Sequence, residues 1–449
     1  MVCPVMGVCG GCEANHSLEK KVRDIYERLG AKLQESALHI YASPDSGYRS
    51  RGEFRIYKKA PNIKSTSADS RDLADSFGLD STSLPKLFLS MSAKSKNTHI
   101  PIAHCPILLP ALQDVLHALL PLLERVSVLS HKLYAIEVLG SRFSTLGALP
   151  PKSSTLESSV LIASHSTLLH TIVKDTHQHS DVVISLIYHK HLDPTFEQAA
   201  LDLLLALRRD LSKSKETQAR LGRISLIARS KNERLCITPQ GEQIRDYATD
   251  VVQVCDKPYT YLRKEGQFCQ PNAYMNACML SFVKHAISSH EREDLLEMYG
   301  GDGNFSIALA ECFDKVLVTE VVKKASAHIT QNAALNGISN ITSVRLSGAE
   351  TMSALRFERE FFRLKRVDIR AFSFSHILID PPRSGVGDEA MLAFIAGFSS
   401  IIYISCNPAS LLKDLQVLLQ THSIENVALF DQFPHTHHLE CALILRKQS

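Results

Sequence analysis

The sequence predicts an α/β protein. Its carboxyl-terminal half is a mostly parallel, doubly wound sheet closed by an antiparallel hairpin, and an α+β region precedes it. Two observations carry this reading. After about residue 250 short apolar runs alternate with helical ones: DLLEMY, then FSIALAECF; KVLVTEV, then a helix through Leu335; then HILID and IIYISC. That order calls for parallel strands joined by helical crossovers. The last two runs, VALFDQF and CALILRK, lie too close for a helical crossover and should pair as an antiparallel hairpin. At 449 residues the chain exceeds one ordinary core. It divides into a Cys-rich segment with a helix (1–44), an α+β domain (45–249) and the parallel-sheet domain (250–449).

Taken in order, residues 17–35 have the apolar spacing of an amphipathic helix. YRSRGEFRIYKK (48–59) alternates like a strand and is loaded with cations and aromatics. A polar stretch over 62–76 reads as a loop, and helical periodicity resumes over 102–126. The strand-like runs YAIEVLG, DVVISLIYH, RISLIARS and RLCITP surround one long helix, Pro194–Leu211. Hydrophobic residues make up 45% and charged residues 22%, an ordinary balance for a soluble globular protein. A net charge of +3 excludes a global field for nucleic acid and leaves only a local patch. The amino terminus lacks a secretory pattern. The apolar run 108–122 is broken by Pro110, Gln113, Asp114, His117 and Pro121, so no membrane span or membrane partner is expected. A cytoplasmic location follows. In that reducing setting eleven cysteines, an odd number, argue for metal or catalytic use of a few and against a disulfide framework.

The chemistry gathers at the strand ends. After DLLEMY comes Gly300-Gly301-Asp302-Gly303-Asn304, a turn that lets backbone approach a ligand. Glu320 ends the next strand, where an acid can hold ribose hydroxyls. Without G-x-G-x-x-G or a P-loop Lys, a pyrophosphate ligand is disfavoured, and a nucleoside without phosphates such as S-adenosylmethionine fits better. HILID runs into Asp380-Pro381-Pro382-Arg383-Ser384-Gly385, and the next strand runs into Ser405-Cys406-Asn407-Pro408. Both arrive at the same carboxyl edge, where Cys406 can act as a nucleophile. The tail FPHTHHLECAL sets Glu440 between Leu439 and Cys441 in an apolar strand, which makes it a candidate general base. Alternation along that tail sends His435, His437 and His438 to different faces, against a three-His metal site.

With YRSRGEFRI, FCQPNAYMN, MYGGDGNFSIALA, DPPRSG, YISCNP and FPHTHHLE in order, the chain resembles the RNA 5-methyluridine methyltransferases over about residues 45–449, and their tRNA (uracil-5-) branch most. The resemblance implies a Rossmann-like, S-adenosylmethionine-dependent domain behind an α+β RNA-binding domain. It implies that Cys406 adds to C6 of a uracil, that C5 takes the methyl group, and that Glu440 removes the C5 proton. It places the cofactor against Gln270, Tyr299, Asn304, Glu320 and Asp380. Two positions depart from the family pattern: Gly300 stands where Cys is usual, with little expected effect, and Asp302 where Asn is common. Cys3, Cys9, Cys12 and the distant Cys105 resemble the [4Fe–4S] ligand set of ribosomal-RNA members. Four-thiolate zinc and plain buried thiols are the chemical alternatives.

For RNA contact, alternation along 48–59 groups Arg49, Arg51 and Arg55, cations suited to phosphates, beside aromatics able to stack on splayed bases. A uracil that meets Cys406 has left its stack. The expected substrate is the T loop of tRNA, supported by YRSRGEFRI, YHKHLD (188–193) and HTHHLECA. The same chemistry on 23S ribosomal RNA is the alternative that the amino-terminal cysteines favour. A non-catalytic RNA-binding or folding factor is the reading from another class, and the presence of both Cys406 and Glu440 argues against it. The protein is expected to act as a monomer.

Overall fold

The computed structural model describes residues 3–13, 17–29, 37–57, 87–93, 99–144, 179–288 and 292–448. Lys58, Lys59 and the polar stretch 62–76 lie outside the described residues. The sheet that carries the site has eight strands, ordered Ala37–Tyr41, His422–Phe430, Glu440–Lys447, Ser400–Ser405, Phe374–Ile379, Asp294–Met298, Val316–Thr319 and Ile341–Val344. The last five run parallel to one another, and Glu440–Lys447 is antiparallel to both of its neighbours. This is the Rossmann-like methyltransferase arrangement with its carboxyl-terminal hairpin.

The strands read as unbroken apolar runs because both faces are covered. Ile401, Tyr403, Leu443 and Leu445 enter the core on one face, while Ile402, Ile404, Ala442 and Ile444 enter the core on the other. Each fully buried Ile or Leu contributes roughly 1.5–3 kcal/mol, so the two strands that approach the site are among the most firmly held in the molecule. The helix Leu18–Leu29 packs Val22 and Ile25 into the first of these cores. Its Lys21 forms a buried ion pair with Asp431 at 2.6 Å and donates to the Phe433 carbonyl at 3.1 Å. The amino-terminal helix therefore braces the connection that leads into Glu440.

A second, seven-stranded sheet is ordered His99–Ile102, Phe88–Ser92, Arg51–Tyr57, Leu133–Gly140, Ser180–Tyr188, Leu221–Ser230 and Glu233–Ile237. It packs against the helices Pro110–Arg125 and Pro194–Leu211. The second helix begins where expected because Asp193 caps it, accepting from the Phe196 N–H at 2.8 Å, with Pro194 in the first turn. A three-stranded sheet of Phe143–Ser144, Tyr247–Val254 and Lys257–Lys264 lies beside helix Ala273–Ile287. No described helix is long and apolar enough to cross a membrane.

Candidate active site

Register brings the two catalytic candidates together. Ser400–Ser405 pairs antiparallel with Glu440–Lys447, and the last matched residues are Ser405 and Cys441. One step beyond, Cys406 leaves its strand opposite Glu440, the first residue of the other. Asn407 then stops the strand. Its side chain accepts from the Ala409 N–H at 3.2 Å and caps the helix Pro408–Leu418, with Pro408 in the first turn. The same turn is tied to the DPPRSG loop, because Asn407 Nδ2 and Ser410 Oγ donate to the Arg383 carbonyl at 2.8 and 3.1 Å. Asp380, at the end of Phe374–Ile379, enters the same electrostatic neighbourhood.

The groups perturb one another in a consistent direction. Burial pushes the Glu440 carboxyl up to about 8, with a further upward push from Asp380 and an opposing pull from Arg383. Desolvation pushes Asp380 up to about 7. The Cys406 thiol is pushed to about 11, first by desolvation and then by Glu440 and Asp380, again opposed by Arg383. Burial and then Arg383 hold His438 down to about 4, and Arg383 Nη2 lies 3.2 Å from His438 Nε2. At neutral pH the thiol and most of the buried carboxyl are therefore protonated, and His438 is neutral. A nucleophile and a proton acceptor placed side by side can support addition to an electron-poor ring followed by proton removal.

The cofactor candidates line the glycine turn and its surroundings. Glu320 is buried, and its two carboxylate oxygens accept from the N–H groups of Gly301 at 3.0 Å and Val322 at 2.7 Å. Those bonds fix an acid beside the turn while leaving lone pairs for hydroxyl groups. Tyr299 adopts a left-handed backbone conformation (φ 63°), followed by Gly301 (φ 56°) and Gly303 (φ 84°). Gln270 accepts from Gln432 Nε2 at 2.7 Å, so its amide is aimed by the segment that precedes Glu440. Asn304 is more constrained than its sequence suggested. Its Oδ1 accepts from Arg263 and Asn276, and its Nδ2 donates to Asn276 at 2.7 Å.

Gly300 is a correction to expectation. A Cβ built there would lie 2.2 Å from Val318 Cγ1, so side-chain space and not only backbone shape decides this position. Asp302 is buried and bonded to Arg263 at 2.6 Å.

The three arginines are divided. Arg51, Glu53 and Arg55 share the outward face of their strand, since Gly52 and Phe54 are buried between them. Arg55 lies over the Tyr134 ring at 3.9 Å, and Arg51 donates to the Gln267 carbonyl at 2.9 Å. Arg49 precedes the strand, bonds the Arg51 carbonyl at 2.9 Å and, like Arg55, lines the cysteine cavity. Cys3, Cys9, Cys12 and Cys105 share this cavity of about 660 Å³. Desolvation and their mutual proximity push Cys12 to about 11 and Cys105 to about 12, values of protonated thiols. Among the described residues, no group of three or more Cys, His, Asp or Glu side chains is arranged to hold a metal ion. The expected [4Fe–4S] ligand set is thus gathered into one cavity but not formed.

Sequence reasoning missed Asp414. Buried in Pro408–Leu418, it accepts from Val386 N at 2.7 Å, Gly387 N at 3.2 Å and Tyr403 OH at 2.5 Å, and so pins the DPPRSG loop to the strand that delivers Cys406. The available signal was an acid on the Leu411, Leu415, Leu418 stripe.

A family model described as tRNA (uracil-5-)-methyltransferase matches residues 166–448. The chain belongs to that family. Among curated members, the tRNA/tmRNA (uracil-C(5))-methyltransferase of Helicobacter hepaticus is 36% identical, covering 100% of this chain and 99% of its own length. Its namesake from Wolinella succinogenes is 34% identical, covering 100% of both chains. The solved Pyrococcus abyssi tRNA (uracil-54, C5)-methyltransferase, in complex with S-adenosyl-L-homocysteine, superposes with a TM-score of 0.60 at 16% identity. That superposition covers 98% of this chain and 86% of the Pyrococcus chain, and it shows that the fold is shared. As a member of the tRNA (uracil-5-)-methyltransferase family, the chain is a methyltransferase.

Proposed function

We propose that the protein transfers the methyl group of S-adenosylmethionine to C5 of a uridine in the T loop of tRNA. The observation that carries this reading is the pairing register, whose last pair Ser405–Cys441 stands one residue from both Cys406 and Glu440, close enough for Glu440 to act on the thiol. The Cys406 thiol releases its proton to solvent, and the thiolate adds to C6, which makes C5 electron-rich. S-adenosylmethionine supplies the methyl group. The Glu440 carboxylate then accepts the C5 proton, and elimination breaks the C6–S bond, restores the ring and expels the Cys406 thiolate, which regains its proton from solvent. Glu320, Gln270 and Asp380 would hold the donor, Asp380 near enough to act on Cys406 and Glu440, with Tyr299 and Asn304 shaping the turn. Arg51 and Arg55 are proposed to hold phosphates of the RNA, with Arg49 set back beside the cysteines.

Family membership and the names of the curated relatives favour tRNA over 23S ribosomal RNA. Cys3, Cys9, Cys12 and Cys105, which line one cavity, are the residues that would hold a [4Fe–4S] cluster. No catalytic step is assigned to it, and iron and sulfide analysis of anaerobically purified protein tests it. Methyl transfer to unmodified tRNA, with 5-methyluridine appearing in the T loop, is the result expected for the function. Transfer only to ribosomal RNA fragments would overturn the substrate assignment.

A further inference from the structure

Asp302, one of the two departures from the family pattern, leads to a buried network that the reaction scheme does not use. Its carboxylate lies 2.6 Å from Arg263 Nη1. The same guanidinium reaches Asn304 Oδ1 from Nη2 at 3.0 Å and Asp250 Oδ2 from Nε at 3.4 Å. Arg263 is 3% exposed, Asp302 7% and Asp250 7%. The guanidinium also lies over the Tyr261 ring at 4.3 Å, and the Tyr261 hydroxyl donates to the Asn304 carbonyl at 2.9 Å. Asp250 in turn accepts from the Arg142 N–H at 2.8 Å.

Each of the three nitrogens of one buried cation is thus engaged with one side of the glycine turn or with the neighbouring strand Tyr247–Val254. Such a cation is costly to bury, and only a full set of well-placed acceptors offsets that cost. A planar guanidinium can serve three acceptors at once, which a single ammonium cannot do with the same geometry. Asn304 is held from both directions: Arg263 and Asn276 fix its oxygen, and Asn276 takes one of its N–H bonds. The second amide N–H takes no part in these bonds.

We propose that Arg263 is a positioning residue for the S-adenosylmethionine site. It clamps Asp302 and Asn304, the residues on either side of Gly303, in the shape that receives the nucleoside end of the donor. Arg263 does not touch the donor itself. The proposal rests on the cofactor assignment made above.

The test measures S-adenosylmethionine and S-adenosylhomocysteine binding by calorimetry on the full-length protein, with RNA binding measured in parallel. Arg263→Lys keeps the charge but not the fork. It is expected to fold, to keep its RNA affinity, and to bind the donor roughly 10- to 100-fold more weakly, the loss associated with one or two charge-assisted hydrogen bonds. Arg263→Gln paired with Asp302→Asn removes the ion pair but leaves Asp250 and Asn304 without the fork, so it should also bind the donor more weakly while keeping its RNA affinity. Donor affinity within twofold of the unmodified protein in Arg263→Lys would overturn the clamp, as would equal loss of donor and RNA binding in the double variant. If the unmodified protein itself binds no donor, the cofactor reading fails instead.

Discussion

Replacing Glu440 by Gln separates its catalytic role from its cost. In the folded chain burial and Asp380 raise this carboxyl from its ordinary 4.5 to about 8, which corresponds to about 5 kcal/mol against the charged form. The folded state therefore binds the proton more tightly than the unfolded one. The stabilisation from this group is present below about pH 4.5 and is lost as pH rises toward 8. Gln carries no such proton, so the variant should match the unmodified protein at acid pH and exceed its thermal midpoint near pH 8. Catalysis should move the other way. Methyl transfer can proceed, but the C5 proton cannot leave, so a methylated RNA–protein adduct through Cys406 should accumulate on denaturing gels. In the unmodified protein the step after methylation should speed up about 50-fold between pH 6 and 8, as the carboxylate fraction rises from roughly one hundredth to one half. Single-turnover quenching with labelled donor measures this. Rapid clean turnover by the Gln variant, or a stability difference that ignores pH, would refute the reasoning.

Further outcomes follow from other contacts. Cys406→Ala should abolish both turnover and adduct while still binding RNA, measured by gel shift and methyl incorporation. Gly300→Cys, which restores the usual family residue, should lower stability by about 1–3 kcal/mol because its Cβ meets Val318. A second change, Val318→Ala, should recover most of that loss in thermal melts. Asp414→Ala strips partners from Tyr403, Val386 and Gly387 and should cost about 1–3 kcal/mol while lowering kcat more than donor affinity. Arg55→Ala should weaken RNA binding and reduce its salt slope by about 1 with donor binding unchanged, as titration at several salt concentrations would show.

The parts of the fold that were legible are those whose pattern is local. Strand-helix alternation exposed the parallel sheet, and the short spacing before CALILRK exposed its hairpin. The helix Pro194–Leu211 was readable because its cap and first-turn proline are adjacent in sequence. Ala37–Tyr41 was not, since it becomes a strand only by pairing with Val427 and its neighbours almost four hundred residues later. The hairpin Tyr247–Val254 and Lys257–Lys264 was also missed, as its charged residues hid the alternation. In the site, the chain marks Cys406, Asp380 and Glu440 by placing reactive groups at the ends of apolar runs. Asp414, Arg263, Gln432 and Lys21 act through partners far away in sequence, and no local pattern announces them.

These distant partners also explain how one cation can govern the chemistry. Among the described residues Arg383 lowers the pKa of both Cys406 and Glu440, while Asp380 raises both. Its position depends on the loop it sits in. Asn407 and Ser410 hold its carbonyl, Asp414 holds the next turn, and His438 meets its guanidinium. His438 itself lies in the connection braced by Lys21 and Asp431. The proposed nucleophile and base thus arrive on adjacent strands, and the charge that acts on both arrives on a loop fastened beside them. Without that fastening, Cys406 and Glu440 would still face each other across the register, but with their protons held more tightly and the addition step slower. The catalytic edge is therefore better understood as three anchored loops around one guanidinium than as a cysteine and a glutamate alone.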